Sequence, residues 1–447
     1  TLLALYPERH RELAGVIALH LERAGEDAAA VPHLVAAGDH ALERFANREA
    51  MAFFGRAVAT LDAADPRDDL RLRAALGVAK VAWTYGDPGG SIDSLEKALS
   101  LAGEEVDRKL VGAAYFWVAF LRRIRGERPD TSPALKHAAQ RSAEIGSALG
   151  DPVAQAIPNA FAGVGLMASG ELREGTRLLE EALGPIAAHA DPQSAAILNG
   201  LLTLGYARLG DFTAAERALE RAEVLAAGGD PIAALDAQIV RSALLVERGE
   251  TDAGEALATT CAARSEELGA IACAVPANII VGTAHLARDD AFGAQAPLER
   301  SDELAQVSNM EPFRTLAQGM LGFVRTRLGD VPGGAADWDL ALERAHAGRD
   351  RYGEAITLWQ RARARLGTRP PDLEAARADL DLATQLFEAM GARPSHARSL
   401  RDRGNVLRAM GHSDDADRDL EHSQAIAASL GLRDLAPAAG DEERKRP

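Results

Sequence analysis

Aromatic residues are scarce: Phe, Trp and Tyr together make up 4% of the 447 residues. An all-β fold, which draws on aromatic and β-branched side chains, is therefore disfavoured. Cysteine is nearly absent. Cys261 and Cys273 offer no framework of pairs, so a reducing, cytoplasmic compartment is expected. No apolar run reaches the roughly 18 residues that a membrane helix needs, and no signal-like segment opens the chain. Lysine is rare as well. None of Lys80, Lys97, Lys109, Lys136 and Lys445 follows a Gly-rich turn, so this chain carries no P-loop. The scarcity of Lys beside Arg, with abundant Ala and Gly, points to GC-rich, bacterial coding DNA. Positive charge is in deficit too. Fifty basic against 66 acidic residues leave a formal charge of -16, which argues against a broad nucleic-acid footprint.

The patterns of enzymatic chemistry are missing in the same way. The 11 histidines contain no HExxH, and His33/His40 and His412/His422 lack matched Cys or acid spacing, so no metal site is expected. The segment "IGSALG" at 145–150 is not a GxSxG elbow. Cys261 and Cys273 read as small buried apolar residues. Carboxylate pairs such as Glu104-Glu105, Glu180-Glu181 and Asp414-Asp415 read as solvated acid at helix ends. No catalytic residue and no cofactor is expected.

What the sequence has is alanine and repetition. Ala accounts for 92 residues, a composition that suits helices packed closely through small side chains. A short turn of Gly and acid recurs at Gly86-Asp87, Gly126-Glu127, Gly170-Glu171, Gly210-Asp211, Gly249-Glu250, Asp289-Asp290, Gly329-Asp330, Gly367 and Gly411, with gaps of 38 to 44 residues. Self-similarity at such a period marks a helical repeat array. The unit over 191–227 shows the plan. A first helix ends at Gly210. Asp211 then caps a second helix that carries Ala215, Leu219 and Ala222 on one face. Several first helices open with Pro, as at Pro152, Pro192, Pro231 and Pro312.

The plan predicts ten helical hairpins over 28–62, 68–103, 107–149, 151–189, 191–227, 230–268, 270–306, 309–347, 350–390 and 392–430, after a single helix at about 8–24. The domain reading is an N-terminal helix within 1–27, a solenoid over 28–430, and a disordered tail over 431–447.

This pattern resembles the tetratricopeptide repeat (TPR). A small residue in the first helix precedes the turn, and small–large–small residues follow it: Gly163, Gly175, Leu179 and Ala182; Gly282, Ala294, Leu298 and Ser301; Gly322, Gly334, Trp338 and Ala341; Gly404, Ala416, Leu420 and Ser423. Units near 40 residues depart from the standard 34, and look like the long-helix repeats of MalT-like regions in bacterial STAND-type ATPases. Leu13, His20, Ala24-Gly25, Ala37-Gly38, Ala41, Ala50, Phe54 and Ala57 are similar to the junction that precedes such repeats in LuxR-type regulators and cyclase-linked ATPases. The resemblance implies an all-α, right-handed solenoid. It also implies a protein or peptide ligand in the concave groove, with a nucleotide-binding module upstream in cis. The opening on Thr1 rather than Met suits a piece of a longer chain. The alternative is a free-standing scaffold that assembles a protein complex.

One constellation stands out. Eleven residues before five successive turns stand Asn159, Asn199, Gln238, Asn278 and Gln318. Four residues after each comes a small residue: Gly163, Thr203, Ser242, Gly282 and Gly322. A side-chain amide donates and accepts at once. The row is either a packing ladder between helices or a groove that holds the backbone of an extended peptide. Two Arg clusters, 122/123/125/128 and 361/363/365, read as helix-end cations or as a partner site. Tyr352 and Trp359 read as core residues or groove anchors.

Overall fold

The computed structural model describes residues 9–61, 67–85, 88–128, 130–189 and 192–436. Among them lie 21 α-helices, one short 3-10 turn and no strand. A single helix, α1 (His10–Arg23), precedes ten hairpins. The first five are α2 (Asp27–Glu43) with α3 (Asn47–Thr60), α4 (Asp68–Tyr85) with α5 (Pro88–Leu101), α6 (Arg108–Ile124) with α7 (Pro133–Leu149), α8 (Pro152–Ala168) with α9 (Leu172–His189), and α10 (Pro192–Leu209) with α11 (Phe212–Ala226). The other five are α12 (Pro231–Glu247) with α13 (Thr251–Leu268), α14 (Ile271–Ala287) with α15 (Ala291–Val307), α16 (Glu311–Arg327) with α17 (Val331–Gly348), α18 (Arg351–Leu366) with α19 (Leu373–Met390), and α20 (Arg393–Ala409) with α21 (Ser413–Leu430). Among the described residues the helices pack in consecutive neighbour pairs, which is the order of an all-α helical-hairpin solenoid.

The predicted turns have a physical basis in the backbone. Gly170, Gly210, Gly249, Gly329 and Gly411 all adopt positive φ, between 78° and 103°, a region that a side chain disfavours. Asp289 takes the same region at φ 59°. Asp211 accepts a hydrogen bond from the Ala214 amide at 2.9 Å, the cap expected of it. Asp290, Asp330, Asp350 and Asp372 cap later helices in the same way. Gly367 differs: its φ is -82°, and a longer loop through Asp372 follows. The turn at Gly86-Asp87 lies outside the described residues.

The notch positions explain the hairpin seams. A Cβ on Gly163 of α8 would come within 2.7 Å of the Gly175 carbonyl oxygen of α9. Gly322 lies against the Trp338 indole, whose Nε1 donates to the Gly319 carbonyl at 3.2 Å. Gly282 meets Leu298, and Gly404 meets Leu420. Two helices thus approach to backbone distance, and one large side chain fills the gap beside each notch.

Contacts divide the chain into two compact units, Thr1–Pro158 with Gly229–Pro231, and Asn159–Gly228 with Ile232–Pro447. In the first, the fully buried Phe54 of α3 lodges between Gly38 of α2 and Gly77 of α4. Trp83 and Trp117 each meet Phe120 edge-on, at 5.6 and 5.4 Å.

The second unit winds back on itself. The turn at Gly170 lies against Met390 and Arg351, and the turn at Gly210 lies against Leu430 and Arg393. In both cases the covering helix end comes 220 residues later (390 less 170, 430 less 210). The turn at Gly249 lies against Asp434 in the 3-10 turn Arg433–Leu435. Residues 431–436, placed by the sequence with the tail, are built into this contact: Leu432 is 2% exposed, and the Arg433 amide donates to the Arg248 carbonyl at 3.0 Å. The rest of that tail, 437–447, lies outside the described residues.

Candidate partner-binding face

The five amides sit one to a hairpin, each on a first helix, as their spacing requires. Their surroundings differ. Asn199 is 1% exposed. Its Nδ2 donates to the Ala195 carbonyl at 2.8 Å, and its Oδ1 accepts from Arg221 Nε of α11 at 2.9 Å. Asn278 is buried and donates to the Ala274 carbonyl at 2.9 Å. Gln318 is buried, and its Oε1 accepts from the Arg344 guanidinium of α17. Asn159 and Gln238 are exposed. The Cys261 thiol makes a long contact, 3.9 Å, to the Gln238 Oε1. Among the described residues no hydrogen bond joins one amide to another. Arg221 and Arg344 both stand on the second helix of the same hairpin as their amide, so these links brace single repeats.

The small residues that follow the amides also serve the seam. Thr203 and Ser242 turn their hydroxyls back onto Asn199 and Ile239 carbonyls of their own helices, at 2.8 and 2.6 Å. Gly163, Gly282 and Gly322 admit the facing helix directly.

Neither a family model nor a curated protein matches the chain. Its fold does match solved structures. A Rap protein complexed with Competence and Sporulation Factor is similar over 80% of this chain and 98% of its own, at a TM-score of 0.58 and 12% identity. The APC/C hetero-tetramer Cut9-Hcn1 is similar over 93% of this chain and 80% of its own, at 0.51 and 12%. The fold is a TPR-like helical repeat. A STAND protein with a tetratricopeptide repeat sensor from Pyrococcus horikoshii is similar over 85% of this chain and 56% of its own, at 0.41 and 12%, a likeness too loose to carry an argument.

Within the repeat, several arginines of the two clusters are engaged. Arg122 pairs with Glu96 at 2.7 Å and Glu127 at 2.8 Å. Arg361 and Arg365 both bind Asp379 at 2.6 Å, and Arg363 donates to the Leu286 carbonyl at 2.8 Å. Tyr352 is 8% exposed and lies under the Arg208 guanidinium, 4.0 Å from its ring centroid. Burial pushes the Tyr352 hydroxyl up to about 12. Trp359 donates to Asp402 at 2.8 Å, and its ring meets Phe387 edge-on at 6.2 Å. Cys261 is wholly buried, which pushes its thiol up to about 11. Among the described residues no three His, Cys, Asp or Glu gather as metal ligands, and no helix is long and apolar enough to cross a membrane.

Two charged residues of the first helices escaped the sequence reading. Arg398 of α20 donates to the Glu247 carbonyl at 2.9 Å and to Asp434 at 2.7 Å. Asp236 of α12 is half-buried, and its Oδ2 lies 3.4 Å from where a Gly200 Cβ would stand. Burial pushes its carboxyl up to about 7. A register comparison of the repeats carries the signal that was missed: Asp236 and Arg398 are the sixth residues of their helices, where α10, α14, α16 and α18 carry Ile197, Pro276, Leu316 and Ile356.

Proposed function

We propose that the chain is a peptide- or protein-binding regulatory module. The observation that carries this reading is the winding of the second unit, in which elements four and five hairpins apart meet and hold a stack of first helices as one surface. Such a surface is what helical-repeat arrays use for extended ligands. The likeness to a Rap protein complexed with Competence and Sporulation Factor supports a peptide as the ligand. Of the candidate residues, the exposed amides of Asn159 and Gln238 hold the ligand backbone, while Asn199, Asn278 and Gln318 set the spacing of the helices that present them. The module acts as the sensor arm of a bacterial signalling ATPase or transcription regulator.

The test is selection of short peptides from a displayed random library on the full chain. Enrichment of a consensus that binds at least tenfold more weakly to the Asn159→Ala/Gln238→Ala variant is the expected result. No enrichment, or enrichment indifferent to both substitutions, overturns the reading. The cis arrangement is tested by reading the coding DNA upstream of Thr1 and, if a P-loop module stands there, by assaying nucleotide hydrolysis with and without this chain. A second reading, a scaffold for folded partners, is favoured by the likeness to Cut9-Hcn1, an APC/C hetero-tetramer. Capture of one folded partner with no peptide enrichment selects it.

A further inference from the structure

The sixth position of the first helices isolates one residue. Over six consecutive hairpins it holds Ile197, Asp236, Pro276, Leu316, Ile356 and Arg398. Four are apolar and two are charged. Arg398 is fully provided for, with Asp434 at 2.7 Å, the Glu247 carboxylate at 3.4 Å and the Glu247 carbonyl at 2.9 Å. For Asp236, no hydrogen bond and no ion pair is found among the described residues. The Oδ2 rests instead against α10 at Gly200, beside Val240, whose methyl also abuts that glycine.

A half-buried carboxylate in apolar surroundings has three outcomes. It takes up a proton, it pairs with a cation of its own chain, or it pairs with a cation brought from outside. The second is not met among the described residues, where no cation pairs with Asp236. The first is partly met, since burial alone holds this carboxyl near 7. A cation arriving from solvent would restore its charge and match the apolar register beside it.

We propose that Asp236 is the anchoring carboxylate of a ligand subsite for a protonated amine or guanidinium on an aliphatic stem. The ion pairs with the carboxylate, and the stem lies along the apolar positions of α10 and α14. A Lys or Arg side chain in a peptide and a free alkylamine share this chemistry. The peptide source rests on the function proposed above, while the cation subsite stands without it.

The experiment is titration of the full chain at pH 8 and constant ionic strength, followed by calorimetry and by the carboxyl NMR signal of labelled Asp. The probes are n-butylguanidinium, n-butylammonium and n-butanol, then acetyl-Leu-Arg-Leu-amide and its citrulline counterpart. Saturable binding of the cations but not of butanol or the citrulline peptide is expected. It should weaken at least tenfold in D236N, with no loss of melting temperature. Arg-peptide binding at least tenfold tighter than butylguanidinium assigns the source to a peptide. Equal affinity assigns it to a free amine and counts against the peptide reading while the subsite stands. Absence of saturation by any cation, or equal affinity in D236N, overturns the subsite itself.

Discussion

Arg398 and Glu247 are 151 residues apart in the chain and touch: the Arg398 guanidinium donates to the Glu247 carbonyl oxygen at 2.9 Å. The contact joins the sixth residue of α20 to the last residue of α12. Asp434, Tyr352 and Arg208 complete the cluster, since the Tyr352 hydroxyl donates to Glu247 at 3.4 Å beneath Arg208. Burial works against the charge on Arg398, but Asp434 and Glu247 more than offset it and hold the guanidinium above its ordinary range. Arg398→Met removes a buried guanidinium and leaves the half-buried Glu247 without its cation. A loss of about 3 kcal/mol is expected, within the range for breaking a buried pair, read as a lower melting temperature and faster proteolysis near residues 431–436.

The notches make opposite predictions for two glycines. Gly322→Ala places a methyl on the Trp338 indole, so an overpacking loss of about 1–3 kcal/mol is expected. Gly55→Ala, on the exposed side of α3 with nothing within 4 Å, should gain about 0.5–1 kcal/mol. Thermal melting of the two variants side by side checks both signs.

The amides separate in the same assay. Asn199→Ala removes the acceptor of Arg221 and should cost about 1 kcal/mol. Asn159→Ala, at an exposed position, should stay within about 0.5 kcal/mol of the parent. Equal losses at both sites contradict the division of the row.

The pH dependence follows from Asp236. Its carboxyl is raised to about 7 in the folded chain, against about 4 when unfolded. Between those values the folded chain binds a proton that the unfolded chain has released, so stability falls as pH rises through this window. Asp337 adds to the trend, since burial raises it to about 6. Asp236→Asn should flatten the curve and stabilise the chain at pH 8 by about 1–2 kcal/mol, a figure reduced for its partial exposure. Melting temperatures from pH 4.5 to 8 decide it.

The thiols should be silent. Cys261 is wholly buried with its thiol raised to about 11, and Cys273 is 3% exposed. A thiol reagent at pH 8 should label neither in the native chain and both in denaturant. Rapid native labelling would contradict the packing around α13 and α14.

Local rules let the sequence determine the repeat. A left-handed turn needs Gly or a short polar residue, a cap needs Asp, and a close seam needs a small residue opposite a large one. All three fall within about 20 residues, so Gly210 and Asp211 were legible from spacing, and the pair Gly322/Trp338 from the resemblance to the tetratricopeptide repeat. The amide row was equally visible, but its environment was not. Whether Asn199 meets an arginine and Gln238 meets solvent depends on second-helix residues that follow no repeat. Only tertiary structure decided the closure of the second unit, since Gly170 and Met390 are brought together by small rotations summed over five hairpins. The isolation of Asp236 was decided in the same way. A carboxylate on an apolar register can be read from sequence, but the absence of a partner depends on every element around it.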